Sequence, residues 1–382
     1  MDFSITPEQE HLVQAARTYA AERIAPFYQQ RQAEERFDRA TLLEMGKLGF
    51  FGVELPEAAG GLGLDALTAG LVLEAISAAD YNLGYHPVTV SLVGQILHRY
   101  GAPEVVEPYL HRMTAGELIP NIALTEPGAG SDAANLQLRA RRSGDGWVLS
   151  GEKTSISMAT QADFTVLFAR TGAPDSRAHG VSAFLVPLTD DPTITRSAFN
   201  DHGSRSAGRG TMHFDDTLVP ADHLLGEENR AFAGVMTGFD YSRALIGLQS
   251  LAVARVSLDE TWAYANQRET FGAPLSERQG VTFPLAEAET YYEAARTLCH
   301  KTLWLKDNGL PHTTEAAMCK WWAPKVSYDA VMACLLTHGH GGYSDEFPFE
   351  QRLRDLLGLQ IGDGTAQIMK MVIARRKGKD AR

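Results

Sequence analysis

The chain has 382 residues with 44% hydrophobic and 21% charged side chains and no low-complexity tract, which excludes a disordered or fibrous class and allows two or three domains. A formal net charge of −12 argues against a nucleic-acid binder, which must neutralise phosphates, although a local basic pocket stays open. Cys299, Cys319 and Cys334 lack metal-ligand spacing and cannot all pair, so a reducing, cytoplasmic setting without a structural disulfide is expected.

At the N-terminus, "MDFSITPEQEHLVQAARTYAAERIAPF" carries acidic residues and helical spacing (Leu12, Ala15, Ala16, Tyr19) where a signal peptide needs a basic start and an apolar block. No stretch reads as a membrane span. From Thr6 to about Glu117 the pattern is helical. Ser4 or Thr6 with Glu8 or Glu10 is the expected first cap, "RATLLEMGKLGFFGV" and "ALTAGLVLEAISAA" carry Leu and Ala at i, i+3, i+4, and "LPEAAGGLGLD" between them reads as a loop. Around Ile119 the period changes. "GWVLSGEKTSIS", "ADFTVLFARTG", "GVSAFLVPL" and "GTMHFDDTLVP" are short β-branched and aromatic runs separated by Gly, Pro and Asp, as in a small sheet or barrel. After Pro220 helices return: "SRALIGLQSLAVARVSLDETWAYANQR", "FPLAEAETYYEAARTLCHKTLWLKDNG" and "TEAAMCKWWAPKVSYDAVMACLLTHG", with a last segment around Ile368, predict a four-helix bundle. The expected class is α+β, mainly α, with an all-helical domain over 1–118, a β domain over 119–225 and the bundle over 226–382.

Two stretches carry unusual chemistry. In "ALTEPGAGSDAAN" (123–135), Gly128 and Gly130 let the backbone approach a ligand while Thr125, Ser131 and exposed amides offer hydrogen bonds to carbonyl or phosphate oxygens; a tight turn is the plain alternative. It is no Rossmann fingerprint, which needs Gly-x-Gly-x-x-Gly between a strand and a helix of a parallel α/β unit, and the surroundings here are wrong for one. In "LGLQIGDGTAQIMKMVIAR" a carboxylate, Asp363, stands between Gly362 and Gly364 just ahead of an apolar helical run. Ordinary helix capping explains that pattern equally well. His338 and His340 lack further ligands of suitable spacing, so no metal is expected. Trp321 and Trp322 read as packing residues.

"LTEPGAGSD" is very similar to the first signature of the acyl-CoA dehydrogenase family, and the helical, β, helical succession resembles that family along essentially the whole chain. "ANQRETFGAPLSERQGVTFPLAE" resembles the family segment that reaches FAD of a neighbouring subunit, and "FPFEQRLRDLLGLQIGDGTAQI" the C-terminal signature with the catalytic base. The resemblance implies removal of a proton beside a CoA thioester and transfer of a hydride from the next carbon to flavin N5. No side chain accepts a hydride, so a cofactor is required. By family position Leu124, Thr125, Gly130, Ser131, Ser155, Ser157, Gly339, Thr365 and Gln367 would contact FAD, joined by Arg268, Phe271 and Gln279 serving the neighbour's. Ser131, Asp240, Arg243 and Gly364 would contact the acyl-CoA. The resemblance further implies a homotetramer built as a dimer of dimers, with an electron-transferring flavoprotein as acceptor.

Three departures from the family pattern matter. The turn usually reads Tyr-Glu-Gly-Thr with Glu as base; here Asp363 takes its place and Gly362 that of the Tyr. Some relatives carry the Glu just before the helical Arg, a place held here by Ser242, which cannot act as a base. One methylene fewer withdraws the carboxylate by about 1.5 Å, while a misplacement of ~1 Å can cost about a hundredfold in rate. A substrate bulky at the α-carbon, such as a ring, fits the room so gained, as in cyclohexanecarboxyl-CoA dehydrogenases, which use aspartate. Nitroalkane oxidases also share the fold and an aspartate base; Asp240 and Arg243 favour CoA. Ser155 and Met158 replace a usual Trp and Asn beside the flavin, and Leu336 replaces a Gln expected to reach FAD of another subunit, while Gly339 and Gly342 remain.

Overall fold

The computed structural model describes residues 3–380, so the expected domain limits at residues 1 and 382 lie outside the described residues. Six helices come first: α1 (Pro7–Tyr19), α2 (Tyr28–Glu34), α3 (Arg39–Lys47), α4 (Ala66–Ala79), α5 (Tyr85–Tyr100) and α6 (Pro103–Thr114). Thr6 caps α1, its Oγ1 accepting from the Gln9 amide at 3.3 Å and its own N–H donating to Gln9 Oε1 at 2.7 Å. The reciprocal partner is therefore Gln9, not a glutamate. Asp38 and Asp65 cap α3 and α4 in the same way. Helix α4 is apolar on nearly every side because it is packed on every side: Val72 and Ile76 join the core shared with the sheet, Ala66 and Leu73 that of the C-terminal helices. Its approach to those helices is close enough to need Gly70, where a Cβ would stand 2.7 Å from Leu303 and 2.8 Å from Leu248.

The middle of the chain forms β1 (Pro120–Ala123), β2 (Arg139–Ser143), β3 (Gly146–Ile156), β4 (Phe164–Arg170), β5 (Val181–Pro187), β6 (Ile194–Ala198), β7 (Gly210–Pro220) and β8 (Leu224–Leu225). They make one mixed sheet in the order β6-β7-β3-β2-β4-β5-β8, with β1 parallel to β4 off that path. The four strands expected from sequence are β3, β4, β5 and β7. Those not anticipated have little apolar content to betray them: β2 reads "RARRS" and buries only Ala140, and β1 is four residues opening on a proline. Phe164, Phe168, Phe184 and Phe214 fill the sheet's core beneath α5 and α6.

The remaining elements are α7 (Ala231–Gln267), a small hairpin of β9 (Glu269–Thr270) and β10 (Ala273–Pro274), α8 (Gln279–Asp307), α9 (Thr313–His338), α10 (Phe349–Ile361) and α11 (Ala366–Asp380). Helix α7 starts eleven residues before the apolar run read at Ser242, the segment expected around Ile368 is α11, and α10 ahead of it is a further helix that the expected bundle did not include. Helix α10 stops at Gly362, which is extended (φ −63°, ψ 163°), and the left-handed Asp363 (φ 51°) and Gly364 (φ 95°) carry the chain round before α11 starts anew.

Three regions of the chain are tied together on α10. Asp355, fully buried, accepts from Tyr28 Oη (2.8 Å), Asn82 Nδ2 (3.0 Å) and the Ser204 amide (2.6 Å), one partner from α2, one from the turn before α5 and one from the β region. Burial pushes its carboxyl up to about 6 despite those donors. Next to it Arg354 donates to the His202 carbonyl and to Gln32, both at 2.9 Å. Eight residues beyond this lock stands Asp363.

Candidate active site

The loop after β1 is built on a buried ion pair. Lys153 of β3 is fully buried and donates to Glu126 Oε1 (2.7 Å) and to the Leu124 carbonyl (3.0 Å). The same Glu126 accepts from the amides of Gln137 (2.5 Å) and Leu138 (2.9 Å), so both ends of the loop close on one carboxylate. Desolvation pulls the Lys153 ammonium down to about 8 although Glu126 opposes it. Glu126 and Ala129 exchange backbone hydrogen bonds of 3.3 and 3.0 Å, a tight turn whose outer side is bare: a Cβ on Gly128 or Gly130 would meet nothing within 4 Å. The hydroxyls of Thr125, Ser131 and Ser157, and the amides of Gly128, Gly130 and Ser131, have no partner among the described residues. A rigid, donor-rich cradle with open space above it suits a ligand bearing carbonyl and phosphate oxygens. Sequence reasoning missed both Glu126 and Lys153, since a lysine on a strand carries no sign that it is inside.

The second half of the site is the turn Gly362–Thr365. Thr365, not Asp363, caps α11: its Oγ1 accepts from the Ile368 amide at 3.3 Å. Asp363 makes no hydrogen bond among the described residues, so the capping explanation for it falls away. The residue is exposed, yet protein around its carboxyl takes away part of the solvation a free carboxylate has. That desolvation raises its pKa, and the Lys320 and Arg243 charges pull it back down. A Cβ on Gly362 would touch only the Gly358 carbonyl, at 3.4 Å. On the Gly364 side there is no such room, since a Cβ there would stand 2.6 Å from Met369 Cε.

Around this turn stand several polar groups. Arg243 of α7 is buried and donates from Nη1 to Asp240 at 2.7 Å, Asp240 accepts in turn from Thr313 Oγ1 at 2.6 Å, and the Arg243 Nε has no partner. Burial lowers the Arg243 pKa while Asp240 and Asp363 support its charge. The pair is thus buried and internally bonded, with the buried Nε–H of Arg243 unpartnered among the described residues, rather than a surface ion pair. Tyr85, at the start of α5, has its phenol pushed up to about 12 by burial, with the Asp363 charge adding to the shift. Gly364 and Gln367 lie in and just after the turn, Gln367 exposed.

Ser155 is left-handed (φ 60°) and its Oγ accepts from Arg209 Nη1 at 2.6 Å; the same guanidinium grips both oxygens of Asp201 at 2.7 Å and lies over the Phe199 ring. A held arginine therefore stands at the position whose side chain has been reduced to serine. Arg268, Phe271 and Gln279 gather on the β9–β10 hairpin and the first turn of α8, all exposed, Phe271 at 99%. Gly339, left-handed (φ 59°), ends α9, and Leu336 one turn earlier is 69% exposed. His338 is a packing residue, its Nδ1 bonded to the Cys334 carbonyl (2.9 Å) and its ring stacked on Tyr264.

Comparison with known proteins agrees with this layout. Family models described as the N-terminal, middle and C-terminal domains of acyl-CoA dehydrogenase match residues 6–117, 121–217 and 229–378. The chain is 37% identical over 374 residues to the mitochondrial short-chain specific acyl-CoA dehydrogenase of Bos taurus, covering 96% of this chain and 90% of that one. It is 34% identical over 378 residues to the benzylmalonyl-CoA dehydrogenase of Aromatoleum aromaticum, covering 98% and 99%. The solved structure of butyryl-CoA dehydrogenase from Megasphaera elsdenii superposes with a TM-score of 0.94 at 30% identity, over the full length of both chains.

Proposed function

The chain belongs to the acyl-CoA dehydrogenase family, and on that footing we propose that it oxidises a cyclic acyl-CoA, such as cyclohexanecarboxyl-CoA, across its α,β bond with Asp363 as the base. The protein is an FAD-dependent oxidoreductase. When bound, FAD supplies the acceptor for the β-hydride with its two electrons. The α-proton passes to the Asp363 carboxylate and a C=C bond forms between the two carbons.

Each part of the chain has a task in this reading. The 124–131 loop holds the cofactor with Thr125, Ser131 and its free amides, assisted by Leu124, Gly130, Ser155, Ser157, Thr365, Gln367 and Gly339. Asp240 and Arg243 hold the thioester together with Ser131 and Gly364, and the buried charge of Arg243 keeps Asp363 an acceptor. Arg268, Phe271 and Gln279 reach a cofactor on a neighbouring subunit of a homotetramer, and an electron-transferring flavoprotein takes the electrons onward. The observation that carries the cyclic substrate is the space beside Asp363: a carboxylate shortened by one methylene, next to a glycine whose missing side chain would have met almost nothing.

A short straight or branched chain is the second reading, favoured by the similarity to a short-chain specific relative. The test is anaerobic addition of cyclohexanecarboxyl-CoA, butyryl-CoA and octanoyl-CoA to the yellow holoenzyme. The proposal expects the ring thioester to bleach the flavin absorbance fastest. A clear preference for butyryl-CoA would replace the cyclic substrate while leaving the family assignment intact, and reduction by nitroethane alone would move the protein to the oxidase class.

A further inference from the structure

Beneath the base turn lies a group that the reading above does not use. Lys320, in the middle of α9, is 1% exposed. A lysine so deep is costly unless its ammonium is bonded, and Lys320 Nζ donates to the carbonyls of Leu359 and, at 3.3 Å, Gly364. The Leu359 carbonyl is one that α10 leaves without a backbone donor among the described residues, because the chain departs from the helix at the extended Gly362. It is also at the negative end of α10, where a cation is favoured. The Gly364 carbonyl lies on the other side of Asp363. One ammonium thus spans the turn that presents the carboxylate.

We propose that Lys320 is the positioning residue of the base: it ties Leu359 to Gly364, fixes Asp363 in its left-handed conformation and supplies the buried positive charge that the carboxylate faces. Of the two cations acting on Asp363, Arg243 is already paired with Asp240, whereas Lys320 is bonded only to neutral carbonyls. Its charge is therefore less spent on a local counter-ion. The effect is mutual, since burial pulls the Lys320 ammonium down to about 8 while Asp363 supports it and Arg243 opposes it. Of the other elements packed on α9, α10 meets Lys320 through a carbonyl, α8 presents Cys299 beside Cys319 and pairs Lys301 with Glu315 at 3.2 Å, and on α11 Lys370 lies over the Trp321 ring. Tyr85 of α5 faces Asp363 rather than the lysine.

Two substitutions separate holding from charge. Lys320→Gln keeps a donor and removes the charge; Lys320→Arg keeps the charge. In the glutamine variant, flavin reduction by cyclohexanecarboxyl-CoA or butyryl-CoA should fall off at a pH about one unit higher than in the wild type, a loss of roughly tenfold below that pH that is recovered on raising the pH. The arginine variant should keep the wild-type pH dependence. A glutamine profile that superimposes on the wild type overturns the proposal. Should both variants fail to fold, the reciprocal effect decides. Asp363→Asn removes the charge that supports Lys320, and a lysine of depressed pKa binds fewer protons folded than unfolded, so stability rises with pH through that interval. The melting temperature of the Asp363→Asn holoenzyme should therefore climb more steeply between pH 6.5 and 9 than that of the wild type; parallel curves overturn the proposal. The inference rests on Asp363 being the base. That premise fails if Asp363→Asn reduces flavin normally, whereas the role of Lys320 fails if Asp363→Asn is inactive and the glutamine profile is unmoved.

Discussion

At the scale of the residue, the protein turns on one missing methylene. Asp363, exposed at the surface of the turn, makes no hydrogen bond among the described residues; the protein around its carboxyl raises its pKa by desolvation, and Lys320 and Arg243 hold it in check. A carboxyl must be ionised to accept a proton, so activity should be lost as the pH falls through a pKa above the ordinary aspartate range, and regained above it. Steady-state rates across pH 4 to 8 on a stable holoenzyme check this; a profile falling only at the pKa of a free carboxylate would contradict it. Asp363→Glu should push the carboxylate into the space beside Gly362. Activity on cyclohexanecarboxyl-CoA should then drop by about tenfold or more while that on butyryl-CoA is spared or rises. Equal gains on every thioester would remove the geometric argument for a ring.

At the scale of the element, the site is only as well placed as α10 and the 124–131 loop. Asp355 joins α10 to Tyr28, Asn82 and Ser204, so Asp355→Ala would leave three buried donors without an acceptor at about 1–3 kcal/mol each. A melting temperature lowered by several degrees, with flavin lost on dialysis, is the expected result. The sequence makes the long apolar helices and the aromatic strands legible, because their periodicity is set by burial. It conceals β2, whose side chains are mostly charged and exposed. The turn at Asp363 and the nearby Arg243 stand out in the sequence through the family resemblance, whereas Lys320 does not. Lys320, Arg209 and the Glu126–Lys153 pair look like surface charges until the fold encloses them or ties them to partners. Periodicity reports which face is apolar, and a charged residue on an apolar face reads as noise.

At the scale of the whole molecule, the single chain leaves surfaces that ask for a partner. Phe271, Leu336, Tyr343 and Ile361 are all more than two thirds exposed, and they lie on the C-terminal elements that also carry Arg268 and Gln279. The proposed tetramer would cover such side chains. The protein should run as a tetramer with about one FAD per chain, and Arg268→Ala should weaken FAD retention while preserving the monomer's melting profile after cofactor removal. A monomer that keeps full FAD would contradict the shared site. The account as a whole stands on Asp363 as the base of a flavin-dependent dehydrogenation, and one measurement reaches it most directly: anaerobic mixing of wild-type and Asp363→Asn holoenzymes with cyclohexanecarboxyl-CoA, following the flavin absorbance. The asparagine variant should retain FAD and shift its spectrum on binding the thioester, yet bleach about a hundred to ten thousandfold more slowly; bleaching at the wild-type rate would place the base elsewhere.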